Sequence, residues 1–251
     1  MIYIGTSGYN YWQWQGDFYP KDLPKTRWLE YYSTQFKTVE INATFYGSFK
    51  PQTFKKWGDS TPRDFVFAIK GTRFLTHIAR LNNPEESVNR FFDSATGLDG
   101  KLGVVLWQFP PSFGNTSENN ERLTRFIDLL PAEIPQVFEF RHPTWFDNEV
   151  YKMLNNKRVG IVISESSRFP EREVVTGGIC YIRFHGPTSL YSSSYSTSEL
   201  KVWAKKIQKW SRNSQVYCYF NNDNGGHAVR NAAELATILG HGIKIVQHAL
   251  R

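Results

Sequence analysis

Several charged residues in this sequence sit inside runs of apolar residues, where a charge is costly unless it is paired or put to use. Glu40 and Asn42 lie in Val39-Glu40-Ile41-Asn42, Lys70 closes the apolar run 65–69, and Gln108 follows Leu106-Trp107. Glu139 and Arg141 alternate with Phe138 and Phe140, and Arg183 and His185 alternate with Ile182 and Phe184. Residues two apart on a strand share a face. The pairs Glu40/Asn42, Glu139/Arg141 and Arg183/His185 are therefore each predicted to point one way, as are Tyr217, Tyr219 and Asn221. Arginine forks match carboxylate or phosphate oxygens, so Lys70, Arg141 and Arg183 are expected to converge on an anionic ligand. Glu40 and Glu139 would orient those cations or act as a base. His185 is the expected proton carrier, because imidazole titrates near neutrality.

Other side chains join this set by position. His77 lies in the loop after Lys70, and His142 follows Arg141 with the opposite parity, which suits loop packing as well as ligand contact. Asn221 and Asn222 carry amides that suit sugar hydroxyls or phosphate, although asparagine is also a common turn residue after a strand. Tyr191 and Tyr195 flank Ser192-Ser193-Ser194, a segment that suits a lid, and Tyr195 is counted among the binding residues. Gly225-Gly226 opens a helical pattern whose free N–H groups suit a phosphate, or else makes a turn. Zinc patterns of the CxxC or HExxH type are absent, and no cofactor is expected. A metal held by Glu40, Glu139 and His185 is disfavoured by the three neighbouring cations. Ser7 stands in Gly5-Thr6-Ser7-Gly8-Tyr9, which is not a GxSxG elbow. A retaining glycosidase needs two carboxyls ~5 Å apart, and Glu40 and Glu139 fall on well-separated strands.

These residues recur at the ends of β-type runs. Eight such runs are predicted, at 2–5, 39–45, 65–69, 103–109, 136–140, 160–164, 179–184 and 215–220. Helical periodicity fills most of the gaps: Trp28, Leu29, Tyr32 and Phe36 share a face, as do Leu123, Phe126, Ile127 and Leu130, and Leu200, Trp203, Ile207 and Trp210. After the second and sixth runs the helical signal is weak, so irregular connections are expected there. Eight strands alternating with helices over 251 residues predict an α/β fold, a single (β/α)8 TIM-type barrel occupying residues 1–251, with the polar strand ends forming its C-terminal mouth. Closure predicts that the last strand pairs with the first. A doubly wound sheet fits less well, because no GxGxxG follows the first strand. Cys180 and Cys218 are predicted to face the helices, and two cysteines in all point to a reducing compartment.

Composition sets the outer bounds. With 19 Phe, 13 Tyr and 8 Trp the chain is not a solvated coil, and no apolar stretch approaches the ~18 residues of a membrane span. The N-terminus shows no basic n-region, and a cytoplasmic location is expected. The net charge of +7 favours anionic partners, small or polymeric.

Taken in order, these motifs resemble one family. Gly5-Thr6-Ser7-Gly8-Tyr9 with Trp12, the run 39–46, Lys70 with Thr76-His77, and Leu106-Trp107-Gln108-Phe109-Pro110-Pro111 carry the first half of the likeness. Glu139-Phe140-Arg141-His142-Pro143-Thr144-Trp145, Tyr181-Ile182-Arg183-Phe184-His185-Gly186, and Tyr219-Phe220-Asn221-Asn222 with Ala228 and Asn231-Ala232 carry the second. The sequence resembles the domain-of-unknown-function 72 family of YecE-like proteins from its first strand to its last helix. That resemblance implies a TIM-type barrel and says little about activity. Three readings of function follow. One is an enzyme using acid/base residues on a small anionic or phosphorylated substrate. The second is a nucleic-acid-binding protein, such as a nuclease or repair factor of the endonuclease IV kind, and the third is a non-catalytic binding protein. The placement of the basic side chains, around the mouth or over the outer helices, discriminates the first from the second.

Overall fold

Eight parallel strands form the core: β1 (Ile2–Thr6), β2 (Thr38–Ile41), β3 (Val66–Lys70), β4 (Leu102–Gln108), β5 (Gln136–Glu139), β6 (Val159–Glu165), β7 (Ile179–Phe184) and β8 (Gln215–Phe220). The structure, a computed structural model, describes residues 1–166 and 172–241. Hydrogen-bonded neighbours run β1-β8-β7-β6-β5-β4-β3-β2, so the last strand does pair with the first. Around them lie α1 (Trp28–Gln35), α2 (Ala43–Tyr46), α3 (Pro51–Asp59), α4 (Glu85–Ala95), α5 (Ser117–Leu129), α6 (Asn148–Asn156), α7 (Thr197–Trp210) and α8 (His227–Ile238). The architecture is a nearly closed (β/α)8 barrel. Among the described residues no helix is long and apolar enough to cross a membrane.

The strands alternate as a barrel requires. Ala68, Val104, Leu106, Val137, Val162, Tyr181, Tyr217 and Tyr219 fill the interior. The opposite faces, including Trp107, Phe138, Ile182 and both free cysteines, pack under the helices. Aromatic stacking fixes which way the polar residues turn. Phe140 lies between Phe109 and Trp145, with ring centroids 5.2 and 4.6 Å away, so Glu139 and Arg141 on either side of it face inward.

The second connection corrects the expected irregularity. The strand stops at Ile41, and the chain turns into α2 and then α3. Residues 43–46 have strand-forming types, but tertiary bonds override that preference. The Asn42 side chain donates to Ser7 Oγ at 2.6 Å, and the Thr44 hydroxyl donates to the Lys70 carbonyl at 2.6 Å. Pro51 at the first turn of α3 was the sequence signal for that helix. Gly71 lets the chain leave β3, since a Cβ there would lie 2.1 Å from the Trp107 ring.

One pair of neighbouring strands lacks a ladder. Between β1 and β2 the backbone is joined at the mouth, where Gly8 N donates to Glu40 O at 2.8 Å. Below that point the buried Tyr32 hydroxyl, from α1, closes the seam. It accepts from Thr6 N at 2.9 Å and donates to Thr38 O at 3.1 Å. Gly5 is needed beside it, because a Cβ would meet Thr38 O at 2.3 Å. Tyr32→Phe leaves a buried N–H and a buried carbonyl without this partner. It is expected to lower the unfolding free energy by about 1–3 kcal/mol in chemical denaturation.

Candidate functional site

At the upper end of the interior the apolar filling gives way to a layer of charge centred on Arg183 of β7. Its guanidinium grips Glu40 of β2 through Nε (3.0 Å to Oε2) and Nη2 (2.8 Å to Oε1), and reaches Glu139 of β5 through Nη1 (2.8 Å to Oε2). Nη2 also meets Ser7 Oγ at 3.2 Å, and Nη1 lies 3.4 Å from His185 Nε2. Glu40 receives further donations from the Ser7 hydroxyl and from Tyr181 Oη, the latter at 2.6 Å. Glu139 is held a second time by Arg141 Nε at 3.0 Å. Both carboxylates are 0% exposed and Arg183 only 2%. Burial opposes their ionisation, but Arg183 outweighs it and holds both carboxyls below the usual range. The guanidinium thus occupies the space between Glu40, Glu139 and His185 that a shared metal ion would need. Among the described residues no group of three His, Cys, Asp or Glu side chains could hold one.

Above this layer opens a cleft of about 590 Å³ at the C-terminal mouth. Its wall includes Lys70, Gln108, Arg141, Arg183, Asn42 and Asn221, together with Tyr11, Phe45, Arg73, His77, Tyr191 and Asp223. Lys70 is 6% exposed, donates to Gln108 Oε1 at 2.6 Å and lies 4.0 Å over the Phe45 ring. Burial, reinforced by Arg183 and Arg141, pushes its ammonium down to about 7 against the pull of Glu139 and Glu40. Asp223 is 8% exposed, and its buried Oδ1 has no hydrogen-bond partner among the described residues. Burial raises its carboxyl to about 7, with the Tyr11 hydroxyl opposing and Glu40 adding to the rise. The cleft therefore holds a base and an acid that both titrate near neutrality, an arrangement suited to proton transfer.

The remaining candidates fall into place around it. His185 is buried, with Nδ1 3.2 Å from Arg183 O, and burial and Arg183 push it down to about 4. It is neutral near pH 7 and belongs to the Arg183 layer rather than to the cleft wall. His77 lines the cleft against Phe45, and burial and Lys70 hold it near 4. His142 lies elsewhere, in a groove beside Arg80, Asn115 and Arg122, with Nδ1 2.8 Å from Thr144 Oγ1. Asn222 is buried, and its Nδ2 donates to Ser193 O and to Asn231 Oδ1, each at 2.9 Å. Tyr195 is a core residue between Phe184 and Phe220, and its hydroxyl bonds Glu165. Asn231 of α8 ties this loop down, accepting from Tyr195 N at 3.1 Å and donating to Tyr195 O at 3.0 Å. The segment 192–195 is thus a fastened wall rather than a loose lid. Tyr191 does reach the cleft, in a left-handed backbone conformation with φ 63°.

The family model described as "Protein of unknown function DUF72" matches residues 3–250. The chain belongs to the DUF72 family. It is 29% identical to the UPF0759 protein YunF of Bacillus subtilis, across 95% of each chain. It superposes on a DUF72 family protein from Thermotoga maritima with a TM-score of 0.86 and 31% identity, covering 96% of this chain and 99% of that one. A D-psicose 3-epimerase from Clostridium cellulolyticum, solved with D-tagatose, gives a TM-score of 0.55 at 10% identity over 98% of this chain and 100% of the other, a likeness of fold.

Two residues of the cleft wall in this DUF72 chain, Asp223 and Arg73, are not marked by the sequence pattern that marks the others. Asp223 was within reach, since the alternation 217, 219, 221 continues to 223 past the end of β8. Arg73 opens the short helical turn Phe74–Ile78, where no periodicity marks it. Breaking the buried layer has a calculable effect. Arg183→Met leaves Glu40 without its counter-ion and Glu139 with Arg141 alone, and is expected to lower the unfolding free energy by about 3–5 kcal/mol. The triple variant Glu40→Gln/Glu139→Gln/Arg183→Met should recover much of that in the same denaturation assay. Acid acts in two windows. His185 is neutral when folded down to about 4 but titrates near 6.5 when unfolded, so its contribution falls as pH drops between those values. His185→Gln is expected to remove about 3 kcal/mol of that dependence from stability profiles. His77 adds to the same window, and the steeper loss below pH 4, from Glu40 and Glu139, remains.

Proposed function

We propose that this DUF72 protein is an enzyme whose substrate is small, polar and anionic, bound in the barrel-mouth cleft and worked on by acid/base chemistry. The observation that carries this reading is the vertical order of charge. Glu40 and Glu139 are wholly buried beneath Arg183, while Lys70, Arg73 and Arg141 line the cleft above them. Asp223, the one carboxylate on the wall among the described residues, is partly neutral near pH 7. An incoming anion therefore meets guanidinium and ammonium groups first. Asn42 and Asn221 supply amides for hydroxyls of the same molecule. Lys70 and Asp223 are assigned as the proton-transferring pair. Glu40, Glu139 and His185 keep the scaffold under them polarised and in place.

The distribution of the other basic residues favours a small substrate over nucleic acid. They scatter over the outer helices, many in ion pairs such as Arg27–Glu30, Lys55–Asp59 and Lys152–Glu149. The aromatic loop after β1 is also largely folded inward: Trp14 is buried, Tyr11 is partly buried, and Trp12 stays exposed.

Calorimetry with a hexose 6-phosphate, the unphosphorylated hexose and inorganic phosphate tests the reading. The phosphate-bearing ligands should bind at least tenfold more tightly than the neutral sugar. Arg73→Ala and Arg141→Ala should each weaken them by about 10–100-fold, the range for one hydrogen bond to a charged group. Equal affinity for the neutral sugar overturns the proposal. So does salt-sensitive binding of short oligonucleotides that is lost in the Arg73→Ala/Arg141→Ala variant while the sugar phosphate fails to bind.

A further inference from the structure

We propose that Lys70 is a nucleophile that captures a carbonyl carbon as a Schiff base, so that the ligand of the cleft is an aldehyde or ketone carrying an anionic group. This rests on the anionic-ligand reading above and sharpens it to a substrate class. The geometry of Lys70 differs from that of a lysine placed to hold a phosphate. Its Nζ is buried at the end of β3, with one acceptor, Gln108 Oε1 at 2.6 Å. Among the described residues no carboxylate oxygen lies within 4.0 Å of it, because the two nearby carboxylates are already gripped by Arg183 and Arg141.

An ammonium has three protons to place, and this position offers one polar acceptor and the face of Phe45. The ring favours the charged form. Desolvation and two guanidinium neighbours oppose it more strongly, and the net direction is toward the free amine. A neutral amine donates one N–H to Gln108 and keeps a lone pair, which is the form that attacks carbonyl groups.

Asp223 completes the chemistry. It is more than nine-tenths buried on the wall of the same cleft, and one of its oxygens has no partner among the described residues. The Lys70 Nζ lone pair forms a C–N bond to the carbonyl carbon as the π pair moves to oxygen, which takes up a proton. Nitrogen then releases a proton, and the carbinolamine hydroxyl, protonated by Asp223, leaves as water as the C=N bond forms. The protonated imine returns one proton to the Asp223 carboxylate, so that amine and carbonyl give imine and water with no change of oxidation state. The anionic group of the ligand lies toward Arg73 and Arg141, which leaves its carbonyl end for Lys70.

The test uses the intact protein with pyridoxal 5′-phosphate as an anionic aldehyde probe. Pyridoxine 5′-phosphate, which carries the same anion without a carbonyl, is the control. Borohydride reduction followed by peptide mapping should place the adduct on Lys70 at least tenfold faster than on Lys201, Lys205 or Lys209 of the exposed face of α7. Pyridoxine phosphate should protect Lys70, and labelling should rise with pH through about 7. Lys70→Arg, checked for fold by circular dichroism, should lose the adduct. If pyridoxine phosphate binds in the cleft while the aldehyde labels surface lysines only, the Schiff base is wrong and the anion site stands. If neither compound binds in the cleft, both readings fall.

Discussion

Every charged feature of the mouth depends on how one guanidinium is satisfied below the water line. Arg183 joins β2 to β5 across the width of the barrel through two carboxylates, and Ser7 of the loop after β1 and His185 after β7 close the ring around it. Such a layer is not justified by stability alone, since apolar side chains of similar size fill a barrel at least as well. Its effect is positional and electrostatic. It uses up the negative charge at the bottom of the cleft and fixes a cation beneath the floor. Among the described residues Lys70 is thereby left without a carboxylate in ion-pair reach at a buried position.

The second constraint is the packing that holds the strand ends inward. Phe109, Phe113, Phe140 and Trp145 form one continuous stack outside β4 and β5, and the Trp145 indole donates to Phe113 O at 2.6 Å. On the far side Asn231 fastens the loop after β7 to the end of β8. Between these two anchors the cleft wall is built from side chains whose backbones have little freedom to move. A site held in this way is prepared for its ligand before the ligand arrives.

Much of this was legible in the order of residues. Period-two alternation told inward from outward faces, and it placed Glu40, Glu139, Arg141 and Arg183 in one interior with the cysteines outside. Alternation stops carrying information where a strand ends. Tyr195 and Asn222 looked like mouth residues and instead close the wall through hydrogen bonds to residues 30 and 9 positions away. The second strand stops at Ile41 instead of running on to residue 45, because Thr44 and Phe45 are strand-forming types and only the contacts of Asn42 and Thr44 turn them into helix. Least visible was the electrostatic division of labour. Three cations look alike in sequence, yet one neutralises buried carboxylates, one pairs at the rim and one stands nearly alone. That difference arises from pairings between strands two, three, five and seven, which no local spacing encodes.

The unladdered seam between β1 and β2 has a mechanical consequence. Seven of the eight junctions in the ring are backbone ladders, the one between β3 and β4 with a register shift at Phe67/Ala68, and the eighth rests on the contact at the mouth and on the Tyr32 hydroxyl. A ring with one soft joint behaves as a clamp. The joint adjoins Ser7 and Glu40, which belong to the charged ring around Arg183. A change in the gap at that joint would therefore shift Ser7 against Glu40 and act directly on the charged ring at the floor of the cleft.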